Sequence, residues 1–213
     1  MKDKTPMQNH QPIDFNIIFD LGCVLIDWNP DLVYKPYFDH DEKAMQRFYE
    51  ETGIFLANKQ MDKGKPFDEV LESLTIKYPH YEEPLLYWKI KWIDMIGGPV
   101  EGSVNILKTL NQKGYPLYGL TNWSSETLPL VIKQYDFFNH FKDIIVSGEV
   151  KHIKPEPEIY NILLNKHNLL PKKCLFIDDS LDNVKAAQEL GIHTIHFKDP
   201  IQLAQEIENF LKL

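Results

Sequence analysis

Two adjacent carboxylates, Asp178-Asp179, close the apolar run Cys174-Leu175-Phe176-Ile177, and a third, Asp20, closes Ile17-Ile18-Phe19. Neighbouring carboxylates repel, and in a partly buried crevice they are costly unless a cation or hydrogen bonds compensate them. A hard divalent cation such as Mg²⁺ takes oxygen ligands, commonly one or two carboxylates together with waters and a substrate phosphate. Asp20 and Asp179 could supply direct ligands, the carbonyl of Gly22 a third, and Asp178 a contact through water. A helix cap near Leu181 would account for one member of the pair but not for both. Asp20 precedes a loop whose glycine lets the backbone turn tightly, the placement of a fixed nucleophile or of a plain turn cap.

Two further segments fit the same chemistry. Thr121-Asn122 ends the run Leu117-Tyr118-Gly119-Leu120, where a hydroxyl and backbone N–H groups can hydrogen-bond phosphate oxygens, although such pairs are also ordinary turn residues. Ser124 follows as a natural N-cap, and the dipole of the helix it opens favours an anion. Lys154 lies in Lys151-His152-Ile153-Lys154-Pro155-Glu156-Pro157, where proline twice restricts its predecessor to extended geometry. An ammonium held there could neutralise both a nucleophile and a transferring phosphoryl group, whereas a lone surface lysine would do neither. Asp182 and Asn183 could orient Lys154 or a metal-bound water, or simply open a helix. Taken together the segments describe one metal-assisted phosphoryl-transfer site.

Apolar runs of four to eight residues rich in branched and aromatic types read as buried strands. In open parallel sheets ligands bind beyond the carboxyl ends of the strands, so Asp20, Thr121 and Asp178-Asp179 are expected to converge. From Val100 onward strands and helices alternate: helix Gly102 to Gln112, strand Pro116 to Leu120, helix Ser124 to Gln134, strand Asp143 to Val146 and helix Glu156 to Asn168. Strand Lys173 to Ile177, helix Leu181 to Leu190, strand His193 to Phe197 and a helix from Ile201 to Leu213 complete the series. That order implies right-handed crossovers and a parallel sheet covered on both faces. Between Asn29 and Gly97 no strand is expected, only helices over Asp31 to Phe38, Asp41 to Thr52, Phe67 to Tyr78 and Glu82 to Ile96. The fold class is therefore α/β, a Rossmann-like parallel sheet core (residues 12–28 and 98–213) with a small helical cap (residues 29–97) inserted after the first strand.

The 213 residues carry a net charge of −8, which argues against a nucleic-acid partner, since such binding rests on basic surface. An anionic small substrate would need local compensation by a metal or by particular lysines. With 43% hydrophobic and 25% charged residues the composition is that of a globular protein, and no apolar run is long enough to span a membrane. The first fourteen residues contain no apolar stretch suited to a signal peptide. Cys23 and Cys174 each read as small core residues in a buried strand, not as a disulfide, which with the preceding points suggests the cytoplasm.

These segments, in this order and with a helical insertion after the first, resemble the haloacid dehalogenase superfamily of Mg²⁺-dependent phosphohydrolases. The stretch from Gly148 to Asn183 is especially similar to the branch containing the phosphatase domain of soluble epoxide hydrolases and bacterial sugar-1-phosphate phosphatases. The likeness covers Phe15 to Asp27 and Val100 to about Asp199. It implies that Asp20 attacks phosphorus to form an aspartyl-phosphate, that Mg²⁺ neutralises charge, and that Thr121, Asn122 and Lys154 hold the phosphoryl group of a small phosphorylated metabolite.

One position departs from the pattern. Most phosphatases of the superfamily carry a second aspartate two residues after the nucleophile, as acid and base; here that residue is Gly22. Proton donation commonly contributes about 10²- to 10⁴-fold. Either the leaving group is already good, as in an anomeric sugar phosphate, or a cap residue such as Asp27, Asp62 or Lys63 or a water supplies the proton, or the protein is a weak enzyme that binds a phosphorylated ligand. Dehalogenases of the superfamily also lack this aspartate but work without metal and lack the acidic pair. The cap is expected to close over the cleft as a lid. Lys59, Lys63 and Lys65 surround Gly64 between two predicted helices and read as a solvated basic turn or as a loop reaching substrate. Trp88 and Trp92 read as bundle core more readily than as a sugar-stacking platform.

Overall fold

A computed structural model describes residues 15–212, so the expectation for the first fourteen residues and the outer bounds at residues 12 and 213 lie outside the described residues. The strands are β1 (Asn16–Phe19), β2 (Ile26–Trp28), β3 (Ile96–Pro99), β4 (Leu117–Thr121), β5 (Asp143–Val146), β6 (Cys174–Asp178) and β7 (His193–His196). Five of them form one parallel sheet in the order β5-β4-β1-β6-β7. The chain runs outward from β1 through β4 to β5, then returns to the other side of β1 for β6 and β7. The strand order thus reverses at β1, and the crevice beyond its carboxyl end is where such sheets bind ligands.

The pleat sorts side chains onto two faces. Ile17 and Phe19 pack with Leu117, Leu175 and Ile177 on one face, which the helices Glu101–Gln112 and Pro200–Leu211 help to cover. Ile18 packs with Tyr118, Leu120 and Phe176 on the other, beneath the helices Pro157–Lys166 and Leu181–Glu189. With both faces covered, every residue of β4 and β6 is buried, which is why these strands read as continuous apolar runs.

Between β2 and β3 the chain forms the helices Asp31–Tyr37, Glu42–Thr52, Ile54–Asp62, Phe67–Lys77 and Glu82–Ile90. Their centre is aromatic: Tyr34, Phe48 and Trp88 are fully buried, and the Tyr34 hydroxyl donates to the Pro84 carbonyl at 2.8 Å. Among the described residues no helix is long and apolar enough to cross a membrane.

Four local expectations are corrected. The helix expected to run to Ile96 stops at Ile90, gives way to a 3₁₀ turn over Trp92–Met95, and continues as β3, which pairs antiparallel with β2. Gly97-Gly98-Pro99 disfavours helix, so the backbone finds its partners in the β2 ladder instead. Helix Ile54–Asp62 was not expected; Gly53, at φ 61°, ends one helix and starts the next, and Ile54, Ala57 and Met61 supply a buried stripe. The expected helix Ser124 to Gln134 shortens to Leu128–Ile132, with Pro129 in its first turn. Cys23 is exposed at φ 59° in the loop after β1, not buried in a strand, because β1 has already ended at Phe19; Cys174 is buried in β6, and neither is bridged.

Candidate active site

β1, β4 and β6 deliver their terminal side chains to one place. Asp20, just past β1, is 8% exposed, and its Oδ1 accepts from the Leu21 amide at 2.7 Å. The Lys154 ammonium, 3% exposed, lies 2.8 Å from that same oxygen, 2.7 Å from Asp178 Oδ2 and 2.8 Å from the Leu120 carbonyl. All three of its donors are thereby engaged. Asn122 fixes the lysine from behind: its Oδ1 accepts from the Lys154 amide at 2.7 Å and its Nδ2 donates to the Lys154 carbonyl at 2.9 Å. The Asn122 side chain is thus occupied in positioning Lys154.

Asp178 is fully buried and saturated. Its oxygens accept from Lys154, from the Ser180 amide at 2.8 Å and from Asn183 Nδ2 at 3.0 and 3.2 Å. Asn183 therefore orients Asp178, while Asp182 is exposed on the helix surface. Asp179 is exposed beside the crevice, and Asp20, Asp178 and Asp179 each offer a carboxylate oxygen within 4.8 Å of the others. Thr121 is 1% exposed, and its hydroxyl is buried without a hydrogen-bond partner.

The electrostatics follow from three carboxylates sharing one ammonium. Burial, above all, pushes the Asp20 carboxyl up to about 8 against the pull of Lys154, and Asp178 and Asp179 add to the rise. Burial and the Asp178 charge likewise raise Asp179. Burial pulls the Lys154 ammonium down, but Asp178 and Asp20 outweigh it, and its pKa is raised. The cluster is short of positive charge, and a divalent cation suits that deficit with hard oxygen donors. The orphaned Thr121 hydroxyl asks for an oxygen-rich ligand beside it. These residues fit Mg²⁺ together with phosphate.

The crevice opens on a cavity of about 70 Å³. Gly22, Asn122 and Trp123 line it from the strand-end loops. Trp28 of β2, Trp92, and the pair Asn58 and Asp62 line it from the ribbon and the insertion. Its size is well below the roughly 300–1,000 Å³ of pockets for drug-sized ligands. Trp88 is buried in the helical bundle, as expected, with its Nε1 donating to Asn58 Oδ1 at 2.9 Å; Trp92 is both bundle core and cavity wall. Trp28, Asn58 and Trp123 escaped sequence reading. Nothing local marks them, since the contacts that gather them span thirty to a hundred residues. Lys59, Lys63 and Lys65 are exposed and absent from the cavity wall: Lys63 pairs with Glu156 at 2.5 Å and Lys65 faces Glu69 at 4.0 Å. Asp27 is exposed, with its carboxylate against Gly97, and is absent from the cavity wall.

The loop after helix Ile54–Asp62 is anchored to the core. Ser147 Oγ donates to the Asp62 carbonyl at 2.6 Å and accepts from the Trp123 amide at 2.8 Å, and Lys151 Nζ donates to the Gly64 carbonyl at 3.1 Å. Gly64 sits at φ 93°, and a Cβ there would collide with Lys151 Nζ and the Gly148 carbonyl, so only glycine permits the approach.

Residues 17–197 match the family profile described as haloacid dehalogenase-like hydrolase. D-ribitol-5-phosphate phosphatase of Bacteroides thetaiotaomicron is 26% identical over 215 residues, covering 90% of this chain and 96% of its own. The bifunctional epoxide hydrolase 2 of Rattus norvegicus is 33% identical over 103 residues, 46% of this chain and 19% of that protein. Among solved structures, a family enzyme from Bacteroides thetaiotaomicron in complex with magnesium and inorganic phosphate superposes with a TM-score of 0.66 at 27% identity, over 87% of this chain and 94% of that one.

Proposed function

The chain belongs to the haloacid dehalogenase-like hydrolases, and from that premise we propose that it is a Mg²⁺-dependent phosphatase of a small sugar or polyol phosphate, working through an aspartyl-phosphate on Asp20. The observation that carries this reading is the cluster of Asp20, Asp178 and Asp179 around the single ammonium of Lys154, beside the unpartnered Thr121 hydroxyl. Asp20, Asp179 and the Gly22 carbonyl would hold Mg²⁺, with Asp178 behind them. When bound, the ion neutralises the charge on the transferring phosphoryl group.

In this mechanism the Asp20 carboxylate attacks phosphorus, the alcohol leaves, and water then releases phosphate from the acyl-phosphate. Lys154 favours the charged form of the nucleophile against its burial and holds it in place through its 2.8 Å contact, and the Thr121 hydroxyl donates to a phosphoryl oxygen. Residues 29–97 act as a cap whose Trp92, with Trp28 of β2 and Trp123 of the core around the small cavity, selects compact substrates and excludes water. The relative named for D-ribitol 5-phosphate supports a short polyol or sugar as the organic part. Metal-independent halide displacement is the poorer fit, because it gives the exposed Asp179 carboxylate beside the crevice no task. The free thiols of Cys23 and Cys174 support a cytoplasmic setting.

A screen of phosphorylated metabolites with Mg²⁺ and with a chelator tests the reading. Phosphate release that disappears on chelation is the expected result. Release independent of metal, or halide release from haloacids, would replace it. Within the active set, comparison of anomeric with primary phosphates measures what Gly22 does to leaving-group preference.

A further inference from the structure

Gly22 leaves a physical gap as well as a chemical one. A Cβ built there meets nothing within 4 Å, so a larger side chain would fit and none is present. The cavity that Gly22 lines nevertheless contains a titratable group: Asp62, from the last turn of helix Ile54–Asp62. Every other polar wall side chain is an indole N–H or a side-chain amide, which cannot exchange a proton at ordinary pH. The two amides are also occupied, Asn122 on the Lys154 backbone and Asn58 between the Trp88 indole and Asp62 Oδ2, to which it donates at 2.8 Å. The other cap residues considered from sequence face elsewhere: Lys63 pairs with Glu156, and Asp27 is exposed on the ribbon.

We propose, on the phosphatase reading above, that Asp62 is the general acid and base of this enzyme, reaching across the cavity to perform the task that Gly22 cannot. Its carboxyl gives a proton to the bridging oxygen as the Asp20 oxygen bonds to phosphorus and the phosphorus–alkoxide bond breaks, releasing a neutral alcohol. The resulting Asp62 carboxylate then takes a proton from the water that attacks the aspartyl-phosphate, the phosphorus–Asp20 bond breaks, and inorganic phosphate leaves with both carboxyls restored.

Three observations support the assignment. The Asp62 backbone is pinned to the core by Ser147, and the Gly64 carbonyl two residues on by Lys151, so the carboxyl is aimed by contacts from outside its own helix. Burial, aided by the nearby Asp20 charge, pushes the Asp62 carboxyl up to about 8 against the pull of Ser124 and Asn58, so its proton is present at neutral pH. The donor belongs to the insertion and not to the strand-end loops, so it faces the cavity wall opposite Gly22, where the core loops place no titratable side chain.

The test uses the full chain with saturating Mg²⁺ and a series of phosphate monoesters whose alcohols run from 4-nitrophenol to primary polyols. In the unsubstituted enzyme kcat/KM is expected to vary little along the series. A collapse of kcat/KM as the alcohol grows more basic would mean that no acid serves the leaving group, and would overturn the proposal without any variant. Asp62→Asn is expected to lose about 10²- to 10⁴-fold in kcat/KM on the alkyl esters and less than about tenfold on 4-nitrophenyl phosphate. It should also accumulate a phosphorylated enzyme, visible by intact mass, after mixing with the aryl ester. Equal loss across the series, or none, would overturn the assignment. Gly22→Asp added to Asp62→Asn, for which the structure leaves room, is expected to restore alkyl-ester turnover. Absence of Mg²⁺-dependent release from every ester in the unsubstituted enzyme would instead bring down the phosphatase reading, and this proposal with it.

Discussion

The crevice at the strand ends and the insertion that faces it are organised in opposite ways. In the crevice the charges are tied from several sides: Asp178 accepts from three residues, Lys154 uses all three donors, and the Asn122 side chain holds the lysine, while the Thr121 hydroxyl is left without a partner. The insertion presents aromatic surface and a single carboxyl whose orientation depends on contacts with the core. The difference separates two requirements. Transfer of a phosphoryl group demands charges fixed before substrate arrives, whereas choice of substrate and delivery of a proton can wait for closure.

Substitutions in the crevice should have the largest consequences. Asp20→Asn is expected to reduce phosphate release to background, on the order of 10⁶-fold, with the circular dichroism spectrum kept; retained turnover would remove the nucleophile from the mechanism. Lys154→Met leaves Asp20 and Asp178 buried with no cation beside them. Urea unfolding of the metal-free protein should show a loss of about 3–5 kcal/mol, and a stability equal to that of the parent would mean that the cluster is balanced in some other way.

On the insertion side the effects should be smaller and of different sign. The Asp62 carboxyl is raised to about 8 in the folded chain from an ordinary value of 3.8. A folded-state value above the unfolded one means stability is fully present below about pH 4 and is lost as pH rises toward 8. The Tm of Asp62→Asn minus that of the parent, both metal-free, should therefore grow from pH 4 to pH 8 and then level off; a flat difference would show that Asp62 titrates normally. Alkyl-ester kcat/KM of the parent should decline above about pH 8 as Asp62 loses its proton, with Asp20 the charged group facing it and Lys63 turned away onto Glu156. Smallest of all, Trp28→Phe removes a buried indole N–H that has no hydrogen-bond partner among the described residues. If substrate accepts from it, KM should rise roughly fivefold, equivalent to about 1 kcal/mol, with kcat unchanged.

The same division governs what could be read from the chain alone. The parallel core was legible because each buried strand is an unbroken apolar run and each functional group stands at its end: Asp20 after Phe19, Thr121 after Leu120, Asp178 after Ile177. Asn122 was legible as a strand-end residue, but the hold of its side chain on Lys154 was not, since that bond joins residues 32 apart. The ribbon of β2 and β3 was invisible because Gly97-Gly98-Pro99 looks like a linker until Ile26 lies opposite Pro99. Asp62 was one of three candidates of equal rank. The period of Ile54, Ala57 and Met61 would have placed it at a helix end, but only Ser147, 85 residues away, selects it.

The β2–β3 ribbon has a consequence for how such a molecule can change. The chain departs for the helices and comes back through adjacent hydrogen-bonded strands, so its two exits are only about 5 Å apart. Any folded segment with closely spaced ends can be spliced between them without altering a single pairing in the parallel sheet. A transplant of residues 29–95 from a relative that keeps a carboxylate at the place of Asp62 should therefore exchange the accepted alcohol while the crevice residues at the strand ends stay as they are, a modularity built into the covalent route of the polypeptide.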